Sequence, residues 1–359
     1  MTTLYPPDLP IGVYRVTLVA LEPVELSAFS AATLRGAFGW SFKRMVCYQP
    51  QVKTCRGCLL RGQCPYPQVF EPPPPPDSIY AGQQQTVPPY VLRRPLVAPL
   101  APPAANPVEA KGGANGPQRY APGESFAFEI VLAGWANGMI PYFALALQQL
   151  ETQGVGRGRG QVRVQRIEAL APEGSGQWDS GTVDSGTVDG GTGDSGPSDR
   201  AIVLFDAEQP DQIANHGGFP ARAWIRATPA PAQITVNFVS PTRLQSEGRV
   251  QGEPDFHVFY RALLRRVSAL CTVHTDMPWE TDFAALADAA QGVATVAAAT
   301  HLERRQRRSD RQGAMEFWGT EGIMVYRGDL TPFWPLLQLG QVIHVGKNCT
   351  FGLGRYVVL

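Results

Sequence analysis

Residues 331–359 read TPFWPLLQLGQVIHVGKNCTFGLGRYVVL. Apolar residues at helical spacing over 331–345 run into a loop holding Gly346, Lys347, Gly352, Gly354 and Arg355, and the chain then enters the strand-like RYVVL. A short glycine pattern alone has two readings. It is a tight turn whose glycines are chosen for sterics, or a loop whose backbone N–H groups face a phosphate. The same order recurs upstream: GMIPYFALALQQLETQ reads as a helix, GVGRGRG as a basic glycine loop, and QVRVQRIEAL as a strand ending at Leu170.

The duplication extends outward from these segments. IGVYRVTLVAL alternates like a half-buried strand, SAFSAATLRGAFGWSFKRMV has helical spacing after a possible cap at Ser27, and ESFAFEIVLAGW reads as a strand. In the second half AQITVNFVSPTRL is strand-like, DFHVFYRALLRRVSALCTVH helical, and GAMEFWGTEGIMVYRGDL reads as a hairpin. Each half then follows a βαββαβ plan, and the fold expected is α+β with tandem ferredoxin-like (RRM-like) domains. Residues 1–220 form the first, with a cysteine-rich insertion, a proline-rich segment (72–107) and an acidic low-complexity segment (171–200). Residues 221–359 form the second, with the glycine-rich loop. Both inserted segments read as loosely looped chain, because proline excludes helix and central strand and the acidic repeat has little to bury. The two domains are expected to face one another across a basic cleft.

The chain has 359 residues and a formal net charge of zero, but residues 171–200 hold six acids against Arg200, so the remainder carries 30 bases against 25 acids. Only four of the 31 bases are lysine. Arginine's planar fork suits phosphates and stacks on bases, which leans toward nucleic acid, although a GC-rich genome gives the same bias. The start of the chain lacks a basic segment followed by an apolar one, and no apolar run reaches the ~18 residues of a membrane span, so a cytoplasmic protein with no membrane contact is expected.

Four cysteines fall at C-x7-C-x2-C-x5-C spacing: Cys47, Cys55, Cys58 and Cys64. In a reducing compartment four soft ligands with a CxxC knuckle favour a closed tetrahedral structural zinc site on the loop after the first helix. An iron–sulfur cluster and four free thiols are the other readings. Cys271 and Cys349 stand alone and read as a helix-packing residue and a loop residue.

The paired βαββαβ units, the terminal GKNCTFGLG, and the phrases LRGAFGWSFKR and FYRALLRRVSAL resemble the RAMP-superfamily endoribonucleases that process CRISPR precursor RNA. The resemblance is strongest over residues 233–359 and 11–70. It implies that Gly346, Lys347, Gly352 and Gly354, with Arg355 beside them, shape an RNA-binding surface. It also implies cleavage of CRISPR repeat RNA without a metal: a ribose 2′-OH attacks the adjacent phosphate and leaves a 2′,3′-cyclic phosphate. Many relatives carry a histidine in the first helix of the first domain. Here that helix has none, and Trp40 occupies its middle.

The reaction needs a base, an acid and a cation or N–H group near the phosphorane. His344, at the mouth of the glycine loop, is the preferred acid or base; the alternative is a loop-entry histidine bonded to backbone. His257, early in the second domain's helix, is the second candidate, and Lys43 the third, with Arg44 as a neighbouring cation. His301 leads HLERRQRRSDR, whose Arg304, Arg305, Arg307, Arg308 and Arg311 read as an RNA-backbone strip or as a solvated face. Arg157 and Arg159 suit a phosphate path or a plain turn. Two rival functions remain: a non-catalytic crRNA-binding subunit among other CRISPR effector subunits, and a zinc hydrolase, which an all-sulfur site disfavours.

Overall fold

The computed structural model describes residues 6, 8–49, 52, 54–94, 117–172, 201–309 and 313–359. The acidic segment 173–200 and much of the proline-rich segment, 95–107, lie outside them.

The first sheet is built from β1 (Pro10–Ala20), β2 (Tyr90–Arg93), β3 (Ser125–Ala133), β4 (Val162–Leu170) and β5 (Ala201–Asp206) in the order β2-β3-β1-β4-β5, every neighbour antiparallel. Alternation along β1 sends Tyr14, Val16 and Leu18 to one face, where they pack with Leu34, Phe38 and Phe42 of helix α1 (Ser30–Val46) and Phe143 and Leu147 of α2 (Ile140–Gln148). The second sheet holds β6 (Gln233–Thr242), β7 (Ala294–Ser309), β8 (Gly313–Arg327) and β9 (Tyr356–Val358) in the order β7-β8-β6-β9, again antiparallel. Helices α3 (Phe256–His274) and α4 (Trp334–Ile343) cover one of its faces. Leaving β5 aside, both sheets show the same β2-β3-β1-β4-type order, so the duplicated ferredoxin-like plan read from the sequence is the observed architecture.

Three expectations change in detail. The proline-rich segment contributes β2, because Tyr90–Arg93 holds no proline and its Tyr90, Val91 and Leu92 are buried at the sheet edge. GAMEFWGTEGIMVYR is one strand, β8, whose hairpin partner is β7, the strand carrying the arginine-rich HLERRQRRS. Helix α1 starts at Ser30 behind Phe29 with no side-chain cap, and the Ser27 hydroxyl lies 3.3 Å from that of Thr33 instead.

The two halves are not separated by an open cleft. Val13, Val91 and Val131 on the far face of the first sheet share one apolar core with Leu263, Val267 and Leu270 of α3 and Leu337 and Ile343 of α4. A buried histidine fastens this junction. Trp135 Nε1–H donates to His274 Nδ1 at 3.1 Å, so the proton of His274 sits on Nε2 and donates to the Val87 carbonyl at 2.7 Å. Burial pushes the His274 imidazole down to about 4, and it is neutral at pH 7. Among the described residues no helix is long and apolar enough to cross a membrane.

Candidate nucleic-acid interface

The glycine-rich loop closes onto the protein. A Cβ added at Gly354, where φ is +74°, would lie 1.8 Å from the Val345 carbonyl oxygen. One added at Gly352, where φ is +78°, would lie 2.8 Å from the Leu92 oxygen and 2.9 Å from Ala31 Cβ. Gly346 is packed on the Arg243 carbonyl, and Lys347 alone among these predicted residues is exposed. The glycines thus serve close backbone approach, setting the turn Cys349–Phe351 between α1 and β2, and they offer no open cradle themselves. Gly354→Ala is expected to lose at least ~2 kcal/mol of stability, from a left-handed backbone and a clash with a carbonyl that cannot move freely. Urea denaturation of the purified variant checks this.

That placement brings four elements to one point. Phe351, from the turn, lies under two guanidiniums: Arg35 of α1, 4.2 Å from its ring centroid, and Arg307 of β7, at 5.4 Å. A Cβ at Gly36 would meet Arg307 Nη2 at 2.7 Å, so the absent side chain makes room for that guanidinium. Tyr90 of β2 is buried, with its hydroxyl beside Arg35 and Thr350 but in no well-formed hydrogen bond. Burial holds the Tyr90 phenol above its usual range, with Arg35 pulling the other way. Burial, and then the charge of Arg35, lowers the Arg307 guanidinium. Among the described residues neither Arg35 nor Arg307 has a carboxylate partner, and Arg35 Nε makes no hydrogen bond. Two half-buried like charges without an acid are unfavourable in the free protein and favourable once an anion sits between them.

Around this pair the basic surface continues. Arg94, just past β2, bonds the Ser30 hydroxyl and the Ser27 and Ala28 carbonyls at the start of α1. Arg355 is buried, donates to the Arg94 carbonyl, and is lowered to about 9, first by burial and then by Arg93. It is a strut beneath the surface, where the sequence reading had an RNA contact.

The other sequence candidates are placed as follows. His344 is fully buried; its Nδ1–H donates to the Leu353 carbonyl at 2.9 Å and its Nε2 has no partner. Burial, then Arg93 and Arg355, drives its imidazole well below the usual value, so it is neutral and closed off from any RNA. His257 is partly buried near the start of α3, and Arg266, which bonds the carbonyl of Ile343 next to His344, lies nine residues further along, about 13 Å of helix. The two histidines are therefore not brought together. Lys43 is buried, bonded to the Val52 carbonyl and 5.6 Å from the Tyr66 ring, and anchors the cysteine-rich segment to α1. His344 and Lys43 are each buried and bonded to a backbone carbonyl.

Strand alternation divides the arginine strip. Arg305 is locked by Glu303 at 3.1 Å and Glu321 at 3.2 Å, Arg307 turns inward to Phe351, and Arg304 faces solvent beside Glu316 at 3.8 Å. Arg311 and the side chain of Arg308 lie outside the described residues. His301 is exposed, 4.0 Å from both Glu303 and Glu321. Arg157 and Arg159 are exposed on their loop, and Arg44 stacks on Trp40. Arg35, Tyr90 and Arg94 escaped the sequence reading. The only signal for Arg35 was LRGAF, where a glycine follows an arginine within a helix.

The structure does not support the zinc site. The thiols of Cys47, Cys55, Cys58 and Cys64 are near enough to influence one another: burial, then Glu71, pushes Cys55 up to about 11, with Cys47 and Cys64 adding. Cys55 is buried against the apolar core and Cys58 is exposed. Among the described residues no group of three or more histidines, cysteines or acids is placed to hold a metal ion.

Two family models match the chain. Residues 9–188 match AF_1859_N, described as an N-terminal domain, and residues 236–356 match the family described as CRISPR-associated endoribonuclease Cas6. No curated protein sequence matches. Among solved structures, a Cas6 product complex is 16% identical with a TM-score of 0.49, covering 98% of this chain and 99% of that one. A Thermus thermophilus Cas6 is 13% identical with a TM-score of 0.47, again covering 98% and 99%. A RAMP protein that binds different RNA substrates is 9% identical with a TM-score of 0.42, covering 97% and 99%. The two family models lie on the two sheets described above, and residues 236–356, from within β6 to the start of β9 and including the glycine-rich loop, match the CRISPR-associated endoribonuclease Cas6 family.

Proposed function

We propose that this protein binds CRISPR repeat RNA and cuts precursor crRNA without a metal, and that the phosphate at the cut lies against Arg35 and Arg307. The observation that carries the reading is the half-buried pair of guanidiniums with no carboxylate partner among the described residues. In the reaction a ribose 2′-oxygen bonds to the adjacent phosphorus as its proton leaves, and the bond from phosphorus to the 5′ oxygen breaks as that oxygen gains a proton. The product ends are a 2′,3′-cyclic phosphate and a 5′-hydroxyl. Fixed guanidiniums stabilise the extra negative charge on the phosphorane more than the ground-state phosphate, which is how a site without a metal gains rate. The shape of an A-form stem and contacts to its phosphates supply most of the affinity, so binding weakens steeply with salt. The partners are the repeat RNA, the crRNA it yields, and other CRISPR effector subunits.

The test is incubation with repeat RNA from its own genome in excess EDTA, with product ends mapped. Cleavage leaving a cyclic phosphate is expected; loss of activity in EDTA would sink the metal-free mechanism. His344→Ala run in parallel is expected to keep cleavage within a few-fold at a temperature where it remains folded. A proton-transfer residue would lose 10²- to 10⁴-fold.

A further inference from the structure

Helix α1 leaves an aromatic side chain unexplained by packing. Trp40 is 50% exposed in the middle of a helix whose neighbouring aromatics, Phe38 and Phe42, are fully buried. The Arg44 guanidinium lies 4.6 Å from its ring centroid. Residues 36, 40 and 44 share one helical face at i, i+4 spacing, and Gly36 is where Arg307 rests on the helix. The face therefore runs from the phosphate-holding pair to an open indole about one turn, ~5.4 Å, further on, and then to a cation. Tyr48, just past the helix end, is 91% exposed. From Ser30 to Val46 the helix carries Arg35, Lys43 and Arg44 and no acidic residue.

An isolated exposed tryptophan is ordinary on a protein surface. An indole held by a stacked guanidinium, on an acid-free face leading from an unpaired basic pair, is the combination that binds a nucleobase: the ring offers a flat apolar surface, the guanidinium limits its rotamers, and the surrounding charge attracts the backbone. A protein partner would need an apolar patch here, whereas the face is basic between its aromatics. We propose that Trp40 and Arg44 form a stacking platform for one unpaired nucleobase, next to the phosphate held by Arg35 and Arg307. The proposal rests on the RNA-cleaving reading above and adds to it a residue that positions the strand. Stacking on Trp40 pulls the nucleotide out of any stem, which fixes where the paired region ends relative to the cut.

The experiment measures equilibrium binding of the full chain to repeat RNA that is 2′-O-methylated throughout and so cannot be cut, with a single abasic position moved along it. Trp40→Ala is expected to weaken binding about tenfold, and Trp40→Phe to stay within about threefold of wild type. One abasic position is expected to weaken wild type about as much as Trp40→Ala does, and to weaken Trp40→Ala no further. An affinity of Trp40→Ala within twofold of wild type would overturn the platform, as would a loss that adds to that of every abasic position. Wild type that fails to bind the RNA would overturn the underlying reading, and the platform with it. Because the coupling is read from the RNA side, a change in the stability of the variant cannot imitate it.

Discussion

Arg35→Ala and Arg307→Ala each lower single-turnover cleavage of repeat RNA by about 100-fold or more, while the thermal midpoint falls by a few degrees at most. The rate loss follows from removing one of two fixed donors aimed at developing phosphorane charge, for which losses of 10²- to 10³-fold are typical. The stability expectation has the opposite origin. Each guanidinium loses hydration, lacks a carboxylate among the described residues, and faces the other at the Phe351 ring. Removing one relieves that repulsion and sacrifices a cation–π contact worth about 0.5–1 kcal/mol, and the two effects nearly offset. A structural arginine would show the reverse pattern, a large fall in midpoint with cleavage intact in the surviving folded fraction. Comparing single-turnover rates with thermal melts separates the cases. The salt dependence of binding offers a second readout, because each lost phosphate contact lowers the slope by about 0.7 for a single strand.

Glu129→Gln is expected to be the most destabilising single change in the first half of the chain, by about 3–5 kcal/mol at pH 7. Glu129 is 4% exposed and pairs with Arg93 at 3.0 Å and Arg15 at 3.1 Å. Arg93 in turn donates to the carbonyls of Gln341 at 3.2 Å and Val342 at 3.0 Å, at the end of α4, so the carboxylate ties the first sheet to the second half. The amide leaves Arg93, and Arg355 near it, buried with no compensating charge. Burial pushes the Glu129 carboxyl up, but Arg93, Arg355 and Arg15 outweigh it and hold the group below its usual range. A carboxyl whose folded value is depressed contributes stability above its unfolded value, near ~4.3, and loses it as pH falls through the folded value. Urea titrations should show the gap between wild type and variant wide at pH 7 and narrowing in acid. A gap that does not change with pH would mean that the lost term is packing and not charge.

How much of this was legible in the residues differs between the two sheets and the site. β1, β3, β4, β6, α1 and α3 follow apolar periodicities that a reader can count, because a strand or helix with one buried face must repeat at that face's period. β2 was hidden by the prolines on either side of it, Pro88, Pro89 and Pro95, although Tyr90–Arg93 itself holds none. β7 was hidden because it is the outer strand: Ala294–Ala299 are exposed on both faces, so no alternation marks them. At the site, HLERRQRR looked like one basic strip. The pleat turns Arg305 and Arg307 inward and Arg304 outward, and only the inward neighbours decide that Arg305 meets Glu303 and Glu321 while Arg307 meets Phe351.

The sequence by itself determined the duplicated βαββαβ architecture, the place of the glycine-rich loop and the kinship with CRISPR endoribonucleases, since these rest on local periodicity and on contiguous motifs. The tertiary structure alone decided which basic groups remain without a partner. His344 sits in the most suggestive stretch of the chain, yet burial, with the charges of Arg93 and Arg355 near it, keeps it neutral. Arg35 sits in an ordinary helix, yet Arg307 is brought beside it from a distant hairpin, with no acid between them among the described residues. Burial and charge pairing depend on neighbours far apart along the chain, and neither can be read from the residues on either side.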